Sequence, residues 1–295
     1  MKEKILCIGE ILWDLLPGGA KPGGAPMNVA LHLLKLGFQV RFAGKVGNDP
    51  HGDALRHFLI NHGLDTSLLQ LDYNLPTSTV VVQLGPENRV TFEIVDNVAW
   101  DRIEYTDNLR EAVIEADVII YGTLAARHEF TRKTILKALK EATGKKLIDV
   151  NLRAPYNTKE LVEPLLALSD IAKLNDDELR LIGKWYDRNE EDRELIIWLS
   201  EKFNCELVCV TRGANGALVY NMHEFFEHKG FRVEVADTVG SGDAFLAGFL
   251  ANHLADKGIY SSLEFANATG ALVATRDGAT PDYSIDEVAN IIKGR

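Results

Sequence analysis

Near the carboxyl end, Asp237-Thr238-Val239-Gly240-Ser241-Gly242-Asp243-Ala244-Phe245 runs into an apolar helical pattern of Leu246, Phe249, Leu250 and Leu254. Small residues at a helix start leave backbone N–H groups aimed at an anion, and the helix dipole reinforces them. A carboxylate there is out of place for plain anion binding, because Asp243 would repel a phosphate held in the ground state. It makes sense as a base that takes a proton from a hydroxyl about to attack that phosphate. The competing explanation is structural, with Ser241 as N-cap and Asp243 as a first-turn acid favoured by the dipole. Taken alone, the stretch supports both. A Rossmann dinucleotide fingerprint fits it poorly, since Gly240-x-Gly242-x-x is completed by Phe245 rather than Gly or Ala. A complete Gly-x-x-x-x-Gly-Lys-[Ser/Thr] is absent, so the chain is not a Walker-type NTPase.

A second cluster lies near the start. Gly23-Gly24-Ala25-Pro26-Met27-Asn28 precedes a helical pattern of Val29, Leu33 and Leu36, and Asp14 stands upstream. Paired glycines let a ligand approach the backbone, and Asn28 offers both donor and acceptor to a hydroxyl. A carboxylate and a carboxamide converging on one spot would recognise a polyol. Each feature by itself also reads as a turn and an ordinary helix start.

These groups need a scaffold to bring them together. Ile5–Ile8, Val118–Tyr121, Leu147–Val150, Ile171–Leu174 and Leu207–Val210 are short apolar runs of the kind that form buried parallel strands. Helical patterns separate them: Phe130, Ile135, Leu136 and Leu139; Leu161, Leu165 and Leu168; Leu195, Ile196, Leu199 and Phe203. Alternation of this kind predicts βαβ crossovers and an α/β sheet covered on both faces, with ligands beyond the strands' carboxyl ends. One segment breaks the rhythm. Val80, Val82 and Leu84 alternate on one side of Gly85-Pro86-Glu87-Asn88, and Val90, Phe92 and Ile94 on the other. This predicts a β-hairpin of a small accessory sheet, either a plain edge hairpin or a lid.

Composition narrows the partners. The 295 residues carry 43 acidic against 32 basic side chains, a net charge of −11, which disfavours nucleic acid and anionic lipid surfaces. Cys7, Cys205 and Cys209 are too few for a disulfide framework and lack metal-site spacing. The first residues enter a strand-like run without an apolar leader pattern, so a cytoplasmic protein is expected.

Taken together, Gly-Gly-Ala-Pro-x-Asn-x-Ala at residues 23–30 and Asp-Thr-x-Gly-Ser-Gly-Asp-Ala-Phe at 237–245 resemble the two signatures of the PfkB (ribokinase-like) carbohydrate kinases. Further motifs follow the family order: Gly44-Lys45-Val46-Gly47-Asn48-Asp49-x-x-Gly52, Asn175-x-x-Glu178, Thr211-x-Gly213-x-x-Gly216, and Asn267 with Arg276-x-Gly278-Ala279. The resemblance covers essentially the whole chain. It implies one ribokinase-like domain over 1–295, a mostly parallel central sheet flanked by helices, and a small β lid from roughly 10–24 and 75–98. Asp243 would be the catalytic base, and the N–H groups of Gly240, Ser241 and Gly242 the anion hole. Asp14, Gly23, Gly24 and Asn28 would hold the sugar. Thr211, Gly213, Gly216 and Asn267 would line the ATP site. Asn175 and Glu178 would position Mg²⁺, mainly through water, and Asp237 with nearby carbonyls would bind K⁺. A homodimer through the lid is a further expectation.

Two residues depart from the family pattern. Ser241 stands where Ala is commoner, and Arg212 where an apolar residue is common. Asp149-Val150-Asn151-Leu152-Arg153 resembles a segment of bacterial fructokinases, with Arg153 placed to reach the sugar or the transferring phosphate. Fructose is therefore the expected substrate, ahead of 2-keto-3-deoxygluconate, with ribose and nucleosides behind. Outside the kinases stand a non-catalytic sugar-binding relative and a nicotinamide oxidoreductase. The second is disfavoured by Phe245 and by the carboxyl-terminal place of the glycines.

Overall fold

A computed structural model describes residues 3–16, 19–84 and 90–294 of the chain. In chain order the first elements are β1 (Lys4–Ile8), β2 (Leu12–Leu16), β3 (Gly19–Gly23), α1 (Ala25–Lys35), β4 (Gln39–Gly47), α2 (Pro50–Asn61) and β5 (Leu69–Asp72). Next come β6 (Ser78–Leu84), β7 (Val90–Ile94), α3 (Asp107–Glu115), β8 (Val118–Gly122), α4 (Glu129–Glu141), β9 (Lys145–Asp149), α5 (Lys159–Leu166) and β10 (Ile171–Asn175). The remainder gives α6 (Asp176–Lys184), α7 (Asp192–Phe203), β11 (Leu207–Thr211), β12 (Ala217–Tyr220), β13 (Phe225–His228), α8 (Ser241–His253), α9 (Ile259–Ala274) and α10 (Ile285–Ile292). Among the described residues, no helix is long and apolar enough to cross a membrane.

The main sheet has the order β13-β12-β11-β10-β9-β8-β1-β4-β5. All neighbours from β11 to β5 are parallel, and β12 and β13 extend the sheet antiparallel. From β1 the chain builds outward to β4 and β5 on one side, then to β8 through β11 on the other. The sheet thus changes direction at β1, and the loops beyond the carboxyl ends there part to leave a ligand crevice.

Both faces are covered, which is why the strands are apolar without alternation. Leu6 and Ile8 of β1 join the core under α3 to α7, while Ile5 and Cys7 join the core under α1, α2, α8 and α9. On that second face α1 packs against α8, and every residue of α8 from Asp243 to Leu250 is buried. Phe130 departs from its expected helical face. It is exposed beneath the Arg102 guanidinium, while Ile135 and Leu139 fill the core as the spacing predicts.

The small sheet has the order β3-β2-β6-β7. Its β6–β7 register pairs Val80 with Ile94, Val82 with Phe92 and Leu84 with Val90, as the alternation predicts. The turn Gly85-Pro86-Glu87-Asn88 lies outside the described residues.

Two polar clamps hold the feet of this hairpin. On the incoming side Asp49, the N-cap of α2, accepts from Thr77 N at 2.7 Å, from Thr77 Oγ1 at 2.8 Å and from Gly52 N at 2.8 Å. The Gly44–Gly52 motif therefore anchors the strand that enters the small sheet. On the outgoing side Arg127 is buried over the Trp100 ring at 3.9 Å. It donates to Asp101 Oδ1 at 2.8 Å, Asp101 Oδ2 at 2.9 Å and Val95 O at 2.6 Å. Arg127→Met strands the buried Asp101 carboxylate, so stability should fall by about 3–5 kcal/mol in urea unfolding. A loss of about 1 kcal/mol or less, the size of an exposed pair, would show that the clamp carries little weight.

Candidate active site

The two sequence clusters meet where α1 and α8 start. Asn28, in the first turn of α1, donates from Nδ2 to Asp243 Oδ2 at 2.8 Å across 215 residues of sequence. Both side chains are buried, and Asn28 Oδ1 has no partner among the described residues. Of the structural alternative for this stretch, the first-turn place of Asp243 holds and the cap does not. Gly240, not Ser241, is the N-cap, and the Ser241 hydroxyl donates to Thr238 O at 2.8 Å.

Gly240 is required by its surroundings. Its φ is 76°, and a Cβ there would collide with Ala279 O. The turn Gly240–Asp243 is thereby pressed onto the loop after α9. Ser241 N–H donates to Thr238 O at 3.2 Å, so it reaches an anion only as a shared donor. Gly242 and Asp243 lie in the first turn of α8, whose N–H groups have no preceding helical carbonyls to meet. Of the three expected anion-hole donors, Gly242 is therefore best placed and Ser241 least.

Asp243 sits among charges from neighbouring strands. Burial, then the nearby Asp149 carboxylate, push its carboxyl up to about 7, against the pull of Lys173, the Asn28 hydrogen bond and Arg153. Asp149 ends β9 and receives Lys173 Nζ of β10 at 3.0 and 2.9 Å. Lys173 also lies against the turn at Gly242, since a Cβ there would stand 3.4 Å from its Nζ. Sequence reading passed over Lys173. The signal was present: a lysine inside Ile171-Ala172-Lys173-Leu174, a run otherwise buried on both faces.

On the sugar side, Asp14 lies on β2 and Gly23 on β3. The Asp14 carboxylate fills the space a Gly23 side chain would need, so Gly23 is what lets it rest there. Burial raises the Asp14 pKa, and Arg153 opposes that. Gly24 is the N-cap of α1. Arg153 is exposed beyond β9, donates from Nη1 to Leu152 O at 3.0 Å, and acts on Asp14, Asp243 and the buried Glu10 alike. The structure thus gathers Asp14, Asn28, Arg153 and Asp243 around one place.

The nucleotide-side residues divide. Asn175 and Thr211 are paired neighbours at the ends of β10 and β11, and the Gly213–Asn215 turn follows directly, with Gly216 behind it. Asn175 and Glu178 form a capping box on α6: Glu178 N donates to Asn175 Oδ1 at 2.8 Å, and Asn175 N to Glu178 Oε2 at 2.8 Å. Glu178 Oε1 accepts from Leu152 N at 2.7 Å, tying α6 to the Arg153 loop. Asn267 spends its Nδ2 on Leu263 O of its own helix at 2.7 Å. Arg212, which departs from the family pattern, is part-buried. It braces the turn, donating to Asn215 O at 3.1 Å and Glu227 Oε1 at 2.9 Å.

Asp237 is brought to Gly278, accepting from Gly278 N at 3.1 Å and from Val239 N at 3.0 Å. Behind them is a second element that the sequence did not reveal. His32 of α1 is fully buried, with Nε2 2.9 Å from Ala279 O and Nδ1 3.0 Å from the Tyr283 hydroxyl. Burial lowers its pKa to about 4, so it is neutral, donating to the carbonyl and accepting from the tyrosine. A histidine inside the apolar helix Val29-Ala30-Leu31-His32-Leu33 was the available sign.

Known proteins share this architecture. Residues 18–286 match the family described as pfkB family carbohydrate kinase. The chain is 32% identical to the fructokinase of Klebsiella pneumoniae, over 95% of each chain. Its fold matches the crystal structure of Xylella fastidiosa fructokinase with bound ATP at a TM-score of 0.86 and 25% identity, over 100% of this chain and 99% of that one. It matches Vibrio cholerae O395 fructokinase in its fructose, ADP and calcium ion bound form at 0.84 and 27%, over 98% and 99%. With a family match spanning nearly the whole chain and a buried carboxylate at the head of α8, this protein belongs to the pfkB family of carbohydrate kinases.

Proposed function

We propose that this kinase transfers the γ-phosphoryl of ATP to the primary hydroxyl of fructose, giving fructose 6-phosphate and ADP, with Asp243 as base. The observation that carries the reading is the Asn28–Asp243 hydrogen bond, which sets a sugar-side amide against a carboxylate at a helix N-terminus. The similarity to proteins named fructokinase, one bound to fructose and ADP, supports the choice of sugar.

In this reading Asp14, Asn28 and the backbone at Gly23 and Gly24 hold the sugar hydroxyls. Asp243, in its carboxylate form, accepts the proton of the attacking hydroxyl as the oxygen bonds to the γ-phosphorus and the bond to ADP breaks. The developing phosphoryl charge meets the first-turn N–H groups of α8, foremost Gly242, and preorganised donors of this kind are usually the largest catalytic contribution. Thr211, Gly213 and Gly216 line the nucleotide, with Asn175 beside its phosphates and Asn267 near the base. The small sheet acts as a lid, carrying Asp14 over the sugar.

Mg²⁺ fits the donor set only as an ion held mainly by phosphates and water. Asp149 is paired with Lys173, and both Glu178 oxygens already accept backbone N–H groups, which suits Glu178 to orienting metal-bound water. The ion would supply charge neutralisation between the phosphates. Asp237 is likewise occupied by Val239 N–H and Gly278 N–H, so it supports a K⁺ site by shaping the two loops whose carbonyls would bind the ion.

Four measurements test this reading. A base must be deprotonated to act, and Asp243 is raised to about 7, so kcat/KM should fall tenfold per unit below that pH and level off above it. Asp243→Asn should lower kcat about 10²–10⁴-fold at pH 8 while ATP binding persists. Near-normal turnover in the purified variant sinks the base.

For the loops around Asp237, replacing a large organic cation by K⁺ at constant ionic strength should raise kcat. An unchanged rate removes the cation from the site.

Arg153 decides the sugar. If it serves the transferring phosphoryl, fructose is preferred and Arg153→Ala lowers kcat more than it raises KM. An exposed guanidinium beside Asp14 also suits a substrate carboxylate, which favours 2-keto-3-deoxygluconate as the second reading. Arg153→Ala would then chiefly raise KM. A wild-type kcat/KM higher for the keto acid overturns fructose while leaving the kinase intact.

A further inference from the structure

The buried ion pair beneath the anion loop is absorbed by none of the roles above. Lys173 stands on β10 and Asp149 on β9, each less than a tenth exposed, with Lys173 Nζ at 3.0 and 2.9 Å from the two Asp149 oxygens. A pair this deep costs desolvation on both ions, and well-packed apolar residues would often serve stability as well or better. The pair also lies where its charges matter most, between the end of the sheet and the first turn of α8. We propose that Lys173 is a positioning residue for the base: held bidentately by Asp149 below Gly242, its ammonium offsets the Asp149 charge that Asp243 faces and keeps Asp243 ready as a carboxylate.

The inference rests on the reading of Asp243 as base, and the surroundings of Asp243 make the sign of the effect definite. From β9 it faces Asp149, from the loop after β9 Arg153, from β10 Lys173, and from α1 the uncharged Asn28. Glu10 and Glu178 stand further round, acted on by Asp149 and, for Glu178, by Lys173. Asp149 disfavours the Asp243 carboxylate, and Lys173 and Arg153 favour it. Arg153 is exposed and screened by solvent, so the buried Lys173 is the steadier counterweight. Removing it leaves Asp149 uncompensated beside the base. Removing Asp149 does the reverse.

The test is the acid limb of kcat/KM against pH in the full chain, with saturating ATP. In Lys173→Met the limb should move to higher pH by roughly one unit or more, the size of shift that a close opposite charge produces. The lost rate should return at alkaline pH. Lys173→Arg, which keeps the charge, should hold the wild-type limb. Asp149→Asn should move it to lower pH, and Lys173→Met combined with Asp149→Asn should bring it back toward wild type, because the two charges oppose each other.

A Lys173→Met enzyme slowed equally at every pH, with its limb unmoved, overturns the proposal and leaves Lys173 a structural residue. Should Lys173→Met not fold, Asp149→Asn and the double variant decide by the same signs: an unmoved limb in Asp149→Asn, or a double variant whose limb stays where Asp149→Asn puts it, overturns the proposal. Failure of the base itself looks different. Residual activity in Asp243→Asn that still shows the acid limb assigns that limb to another group, whatever Lys173 does.

Discussion

A carboxylate buried at the head of a helix is unstable unless something holds it, and much of this molecule is arranged around that need. Asp243 loses water on entering the core, which by itself favours its neutral form. The dipole of α8 and the Asn28 amide favour the charged form, and the amide could not act unless α1 and α8 began at the same place. That coincidence is supplied by the sheet. Its winding outward from β1 puts the helix that follows the first strands and the helix that follows the last on one face, with their N-termini at the carboxyl edge. The bond between two residues 215 positions apart is thus a consequence of topology.

The loop in front of Asp243 is supported from behind by backbone packing and hydrogen bonds and from below by a buried ion pair. Gly240 rests on Ala279, Ala279 on the neutral His32, and Lys35 donates to the carbonyls of Thr280 and Pro281 at 2.8 and 2.7 Å. Below it, Lys173 and Asp149 bring charge but nearly cancel at a distance. The separation lets loop shape and local electrostatics be set by different residues. Glu178 couples the two sides of the crevice, since one carboxylate caps α6 and holds the Leu152–Arg153 turn.

Strand identity was legible because a parallel sheet covered on both faces writes itself as apolar runs, and all five runs are strands. The small sheet was legible for the opposite reason: alternation in Val80–Leu84 and Val90–Ile94 sets a register that the pairing reproduces. Motif resemblance supplied the candidate residues at both helix heads. It could not say that Asn175 and Glu178 cap a helix with the same atoms it assigned to ligands, because capping and binding ask for the same residue types. Phe130 shows the limit of periodicity, since a residue at the first turn of a helix can turn away from the core its later neighbours fill. Lys173 and His32 were missed because their partners, Asp149 and Ala279, are distant in sequence. A polar residue in an apolar run announces that it is satisfied somewhere, and only the fold says where.

The small sheet raises a problem of alignment that the same polar contacts answer. Asp14 belongs to β2, whereas Asp243 belongs to the main domain, so a sugar held by both spans two sheets. In the proposed reaction a displacement of one by an ångström would move the hydroxyl off Asp243, and orientation losses of that size weaken catalysis strongly. The feet of the hairpin are held by polar groups: Thr77 by Asp49 on the incoming side, Val95 by Arg127 on the outgoing side. Tyr156, three residues past Arg153, donates its hydroxyl to Asp96 on that outgoing foot. Arg153 and the small sheet thus share one anchor. If Arg153 selects the sugar and the small sheet covers it, as proposed, both are positioned by this one contact, and substrate choice is tied to the cover through a single stretch of chain.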